Sequence, residues 1–434
     1  MNIKNLKVLL ASVLIFGMTS CSFEDQTDPN RPSLEGVLTN ASINQLNNLV
    51  VGVEAAMRNS LGIQTTGSGT MARELYLFDA DPRNTGDLLG ANGSSLDNNS
   101  FYSTAPWAGR YRAIKNANIL LESINNTSSI TDEQRAGYSG FAKTIIAHEL
   151  IDIAKSYNRA RVDVSDPNAL GPILEFSQVI TEVLNILSDG LSDLNQAGSE
   201  FAFPLAGFDG FDTPSSFAEF NRALSAIANL YAGNGQAALT DLNASFLDLN
   251  GDLNVGPKHV FSLSSGDATN DLFKITDNNG DQIVVHNSWI NDAEAGDTRV
   301  TQKTSLRANP TSQDGLNGTH QTELYMSNVS SIDMVRNEEL ILVYAEASIL
   351  ASNLQDAEDA LNIIRDSASL PPYSGAQTAA ELTTEMLKQR RYSLWCENHR
   401  MFDLRRYNLS STLPIDRTGD QIFNTLPIPL TENE

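Results

Sequence analysis

The sequence predicts a mostly α-helical protein, built of helix hairpins and interrupted by one loop-rich insertion, on three observations. Ile180, Val183, Leu184, Leu187, Leu191 and Leu194 recur at three- and four-residue spacing, as do Phe217, Phe220, Leu224, Ile227 and Leu230, so each run presents the apolar face of one helix. Leu239, Leu242, Phe246 and Leu249 form a third such face, and Gly233-Asn234-Gly235 is a turn short enough to fold the second and third helices antiparallel. The interval 250–335 breaks the pattern, being rich in Asn, Asp, Gly, Ser and Thr with a single strand-like run at Gln282 to Val285.

From the N terminus, Lys4 and Lys7 precede an apolar run from Val8 to Met18, too short to span a bilayer but right for a signal-peptide core, so residues 1–20 read as a secretory leader. Met18-Thr19-Ser20-Cys21 puts small residues before a cysteine as a bacterial lipobox does, which makes Cys21 the expected lipidated first residue and the anchor a lipid rather than a span. Residues 21–40 read as that cysteine and a tether, with Glu24, Asp25 and Asp28 beside Pro29 and Pro32 and no apolar period. A single domain is expected over 41–434. Its Gly, Ser and Asn clusters make 62–106 a loop-rich segment like 250–335, while 107–124 pairs with 132–157 and 336–352 with 355–367. Repeated hairpins of this length predict a solenoid of the tetratricopeptide kind, each hairpin burying its stripe against its neighbours.

The net charge is −24, from 53 acidic and 29 basic residues. A surface this acidic repels phosphate backbones, so nucleic acid is not an expected partner. Cys21 and Cys396 alone exclude a disulfide framework or a cysteine zinc site. His148-Glu149-Leu150-Ile151-Asp152 imitates a zincin helix with Asp in the place of the second His and no identifiable third ligand, and reads as structural. The runs from Asp248 to Asp252 and from Asp277 to Asp281 imitate calcium loops but lack Gly at the sixth position and Glu at the twelfth. Turn formation by Asx side chains is the stronger account there, with a structural calcium the alternative. Gly67-Ser68-Gly69 lacks the strand-turn-helix context of a nucleophile elbow, so no catalytic residue, metal or cofactor is expected. Glu397, Arg400, Asp403 and Arg406 recur every three residues and predict a helical ridge of paired opposite charges.

The loops have the composition to bind sugars. A sugar ring offers apolar C–H faces and hydroxyl rims, so its site needs an exposed aromatic platform beside Asn, Asp or Arg forks. Tyr76, Phe78, Asp79, Asp81 and Arg83, continued by Phe101, Tyr102 and Trp107, supply one such group; His286, Asn287, Trp289 and Asn291 supply a second. Phe78 and Trp107 read more readily as core, which leaves Tyr76, Asp81, Arg83, Phe101, Tyr102, Asn287 and Trp289 as the candidate ligand-binding residues.

Four separated segments resemble one family. Arg336-Asn337-Glu338-Glu339-Leu340 through Ala345-Glu346-Ala347 is similar to the Arg-x-x-Glu-x-x-Leu-x-x-Ala-Glu-Ala helix of SusD/RagB-type outer-membrane nutrient-binding lipoproteins, and Asn362, Arg365 and Leu370-Pro371 follow at its spacing. Arg390-Arg391, Glu397, Arg400 and Phe402-Asp403-Leu404-Arg405-Arg406 resemble its second motif, Leu426-Pro427-Ile428-Pro429 its C-terminal one, and Trp107 with Tyr111 its Trp-x-x-x-Tyr helix. The resemblance implies a SusD-like fold held by lipid on the outer face of the outer membrane. It also implies a binding protein without catalysis, which captures oligosaccharides and delivers them to a SusC-like TonB-dependent transporter. The acidic surface favours neutral glycans over anionic ones. A peptide-capturing lid of a peptide importer is the alternative, followed by a surface glycosidase and by a lid with no ligand affinity of its own.

Overall fold

The computed structural model describes residues 34–432; the leader, Cys21 and the tether before residue 34 lie outside them. Helix α1 (Leu34–Asn40) takes the last seven positions of the expected tether. Helix α2 (Ile43–Met57) starts at Ser42, whose hydroxyl accepts the Gln45 N–H while the Gln45 side chain returns a bond to Ser42. Helix α3 (Leu61–Met71) falls where loop was expected. Its small residues bury on every side and so leave no apolar stripe to read; a side chain at Gly69 would come within 2.9 Å of Leu75.

Strand β1 (Leu75–Phe78) precedes the long hairpin of α4 (Phe101–Asn126) and α5 (Asp132–Tyr157), the pair expected from the sequence. A two-stranded ladder of β2 (Arg159–Arg161) and β3 (Ile173–Glu175) leads into α6 (Phe176–Leu194), α7 (Pro214–Tyr231) and α8 (Gly235–Leu242). Successive helices from α4 to α8 pack on one another, and α11 (below) packs on α8, which makes the scaffold a helical-hairpin array. The turn between α7 and α8 uses Gly233 at φ +79°. Helix α8 ends sooner than its apolar period suggests, leaving Phe246 and Leu249 beyond it. The Ser245 hydroxyl and the Asp248 carboxylate there take the Leu247 and Asn250 N–H groups, offering the backbone turns instead of helix.

The insertion holds more strand than expected. After β4 (Lys258–His259) come β5 (Gln282–Val285), the short helices α9 (Asn287–Asn291) and α10 (Thr298–Lys303), and a hairpin of β6 (Thr304–Gln313) and β7 (Leu316–Thr322). Asp314 (φ 52°) and Gly315 (φ +80°) form its two-residue turn, the left-handed pair that suits a tight hairpin. Strands β1, β5, β7 and β6 make one antiparallel sheet in that order, with Leu75 opposite Val285 and Phe78 opposite Gln282. The two loop-rich segments of the sequence are therefore joined by a sheet. Strand β8 (Ile332–Asp333) pairs with β4.

Helices α11 (Asn337–Leu350) and α12 (Leu354–Ser367) form the last hairpin, followed by α13 (Ala379–Ser393) and α14 (Arg400–Arg406). The expected continuous charged ridge is broken between the last two. Cys396 (φ 62°) and Asn398 (φ 60°) turn the chain, so Glu397 is off the helix and bonds Arg336 instead of Arg400. Asp403 pairs with Arg390 at 2.8 Å and Arg406 at 3.0 Å, and Arg406 with Glu346 at 2.6 Å. Arg365 joins Glu385 at 2.5 Å and Glu294 at 2.6 Å. Burial alone would raise the Asp403 carboxyl, yet the two arginines hold it below its usual range. These motif residues are a buried ionic lattice binding helix to helix and helix to insertion. Leu426, 2% exposed, closes the chain against α5 through its N–H to the Ser156 carbonyl at 2.9 Å. No helix among the described residues is long and apolar enough to cross a membrane.

Candidate functional site

Three loops meet beside the free end of the β6–β7 hairpin. Asp314 at its tip accepts the Thr85 hydroxyl at 2.7 Å, and Arg417 donates to the Thr85 carbonyl at 2.6 Å and the Asp314 carbonyl at 3.0 Å. The Gln313 amide reaches the Asp79 carbonyl at 2.9 Å. The segment after β1 is thus fixed by the hairpin on one side and by residues 416–421 on the other.

On that segment Asp81 caps a single 3-10 turn, Pro82–Asn84, and holds the Arg83 guanidinium through two bonds of 2.9 and 2.6 Å. The bond from Arg83 keeps the Asp81 carboxyl below its usual range. The same guanidinium lies 4.7 Å over the Phe101 ring at the start of α4, with the Arg83 side chain 47% exposed. Asp81, Arg83 and Phe101 therefore form a surface platform: one aromatic ring, one oriented fork of N–H donors and one carboxylate. Such a platform can stack on an apolar ring face and hydrogen-bond a hydroxyl rim.

The other candidates lie elsewhere. Trp289, expected on the surface, is fully buried, its ring 4.9 Å from Tyr392 and 5.2 Å from Trp395 and its indole N–H donated to the Arg391 carbonyl. Strand β5 is buried on both faces, and α9 turns Trp289 into that core. Tyr76 is 4% exposed and packs on Phe78 and His286, and burial, reinforced by Asp416, raises its hydroxyl. Tyr102 is 1% exposed; its hydroxyl bonds the Asp87 carboxylate at 3.0 Å and accepts the Asp97 N–H at 2.7 Å, and burial pushes it up to about 12. These three rings support the loops from beneath and present no face to a ligand. Phe78 and Trp107 are core, as their sequence context suggests. Asn287 stays partly exposed and donates its amide to Asn317, three residues beyond the hairpin tip, which links the second group to the first.

Asp314, Asn317 and Arg417 escaped the sequence reading. The dipeptide Asp314-Gly315 carries a hairpin signal; Arg417 has none, because its role depends on a contact 332 residues away. The carboxylates here are poorly suited to proton transfer. Asp79 accepts both the Asn84 amide and the Asp81 N–H, and Asp81 is held ionised by Arg83. The zincin-like helix carries an ion pair instead, Glu149 facing Arg110 at 3.0 Å with neither side chain exposed. Among the described residues no three His, Cys, Asp or Glu side chains converge to hold a metal ion. At the calcium-like runs, Asp248 and Asn278 each accept the N–H two residues ahead.

Residues 267–425 match the model of the SusD family. The chain has a SusD-like fold. A SusD superfamily protein from Bacteroides vulgatus superposes with a TM-score of 0.68 at 16% identity, over 90% of this chain and 96% of its own. A surface glycan-binding protein A from Bacteroides thetaiotaomicron gives 0.72 at 13% identity, over 91% and 97%. A SusD-like carbohydrate binding protein from Bacteroides vulgatus gives 0.62 at 17% identity, over 85% and 84%. At these identities the likeness is one of fold. No curated protein matches the sequence. In this SusD-like chain the matched segment covers the hairpin, the ionic lattice and the 416–421 loop, while Asp81, Arg83 and Phe101 lie ahead of it.

Proposed function

We propose that the protein is a cell-surface lipoprotein, lipidated at Cys21, that captures oligosaccharides at the Arg83–Phe101 platform and delivers them to a SusC-like TonB-dependent transporter in the outer membrane. The observation that carries the reading is the exposed guanidinium stacked on Phe101 and clamped by Asp81, on loops held rigid by the hairpin. The SusD-like fold and neighbours described as glycan-binding support the choice of ligand class. Binding is by stacking and hydrogen bonding with no bond made or broken, since the carboxylates at hand are engaged. Neutral glycans are favoured, because a net charge of −24 repels anionic chains at long range.

Affinity electrophoresis of residues 22–434 in gels containing neutral or uronate-rich polysaccharides tests this. Retardation by a neutral polysaccharide is expected. Retardation by polyuronates alone contradicts the charge argument, and mobility unchanged in every gel removes the platform as a glycan site.

A further inference from the structure

A second concavity lies on the helical scaffold, away from the loops. One line of α4, running from Trp107 through Tyr111 and Ile119, borders a groove of about 370 Å³. Its other wall is the segment between β2 and β3, with Val164, Pro167 and the half-exposed Leu170 facing in, and α1 contributes Leu38. The Trp107 and Tyr111 rings lie 4.8 Å apart at one end. The Tyr111 hydroxyl is already spent on the backbone of Arg161, so Tyr111 offers the groove only ring surface. The volume and the apolar lining are those of a small-ligand pocket.

What distinguishes the groove is its pair of free charges. Lys115 and Glu122 both border it, both are exposed, and neither forms a hydrogen bond or ion pair with any described residue. They stand two helical turns apart, about 10.5 Å along the axis, beyond the three- or four-residue spacing at which they would neutralise each other. Asn118, between them, has an equally unengaged amide.

We propose that this groove binds a short apolar peptide with free termini. An extended tripeptide spans roughly 10–11 Å. Its carboxylate meets Lys115, its ammonium meets Glu122, a peptide group meets the Asn118 amide, and its side chains enter the apolar lining. A fatty acid would answer Lys115 and leave Glu122 without a counter-charge, whereas the other two charges of the lining, Arg161 and Glu432, already pair with each other at 3.5 Å. Lys115 is fourteen residues along α4 from Phe101, about 21 Å, so the site is separate from the platform and independent of the glycan reading.

Isothermal titration with trileucine tests the proposal. Saturable binding is expected, about tenfold weaker for N-acetyl-trileucine amide, which lacks both charges. Lys115→Ala and Glu122→Ala, exposed positions that leave the core intact, are each expected to weaken trileucine about three- to fivefold and to leave the blocked peptide unchanged. Equal affinity of free and blocked peptides, no binding of either, or displacement of trileucine by octanoate or a neutral oligosaccharide would overturn it.

Discussion

Replacing Trp289 by alanine separates a core residue from a ligand platform. The side chain is fully buried between Tyr392 and Trp395, and its indole N–H is satisfied by the Arg391 carbonyl at 3.2 Å. Truncation removes the transfer free energy of a large aromatic and leaves a cavity that the neighbouring rings fill only in part, a cost of about 3–5 kcal/mol. With an unfolding entropy of about 2.1 cal/mol/K per residue over roughly 400 residues, that loss lowers the melting temperature by about 4–6 °C if the chain unfolds as one unit. Differential scanning calorimetry reads the shift. Oligosaccharide affinity of the folded variant at 20 °C is expected to stay within about twofold of the parent. A Trp289→Ala protein that melts within 1 °C of the parent but has lost glycan binding would show that the ring is presented to ligand, and the reasoning would fail.

Other outcomes follow from the same structure. Burial pushes the Glu74 carboxyl up to about 8, opposed by Arg400 and Arg391, so the folded protein keeps a proton that the unfolded chain releases above about pH 4.5. Its contribution is whole below pH 4.5 and declines as pH rises through 8; Glu74→Gln is therefore expected to melt above the parent at pH 8.5 and level with it at pH 4, and equal melts at both would contradict the shift. Glu346→Gln leaves the buried Arg406 to share Asp403 with Arg390 and is expected to destabilise by about 3 kcal/mol in urea unfolding; a change below 0.5 kcal/mol would remove the ionic lattice as a stabilising element. Gly315→Val places a β-branched residue at φ +80°, costing about 1–2 kcal/mol, and hydrogen exchange should quicken in β6 and β7 while α5 and α6 stay protected.

The helical scaffold was legible because it repeats a simple rule. Amphipathic runs at 180–194 and 217–230 sit within α6 and α7, and the pairing of 336–352 with 355–367 appears as α11 and α12. Where burial surrounds an element the rule disappears: α3 is sheathed on all sides and built of Gly, Ser and Thr, so it looks like loop. The β6–β7 hairpin was hidden by its polar residues, most of which in β6 are not buried, and only Asp314-Gly315 marks it. Of the candidate residues, Asp81, Arg83 and Phe101 come together at the surface, through contacts that are local or reach only to the start of α4. It misjudged Tyr76, Tyr102 and Trp289, because whether an aromatic ring in a polar segment faces water depends on elements distant in sequence. Tyr392 and Trp395, which cover Trp289, lie about a hundred residues downstream.

The most direct test of the central claim is a pair of isothermal titrations, parent and Phe101→Ala, with a neutral oligosaccharide that binds the parent. Phe101 is half-buried under Arg83, so its removal takes away the stacking surface and frees the guanidinium while the core keeps its rings. Losing one aromatic contact predicts a roughly tenfold weaker Kd in a variant that still folds, with Arg83→Ala giving a loss of similar size. Unchanged affinity in both variants, with the parent still binding sugar, would place the glycan site elsewhere on the protein and contradict the account.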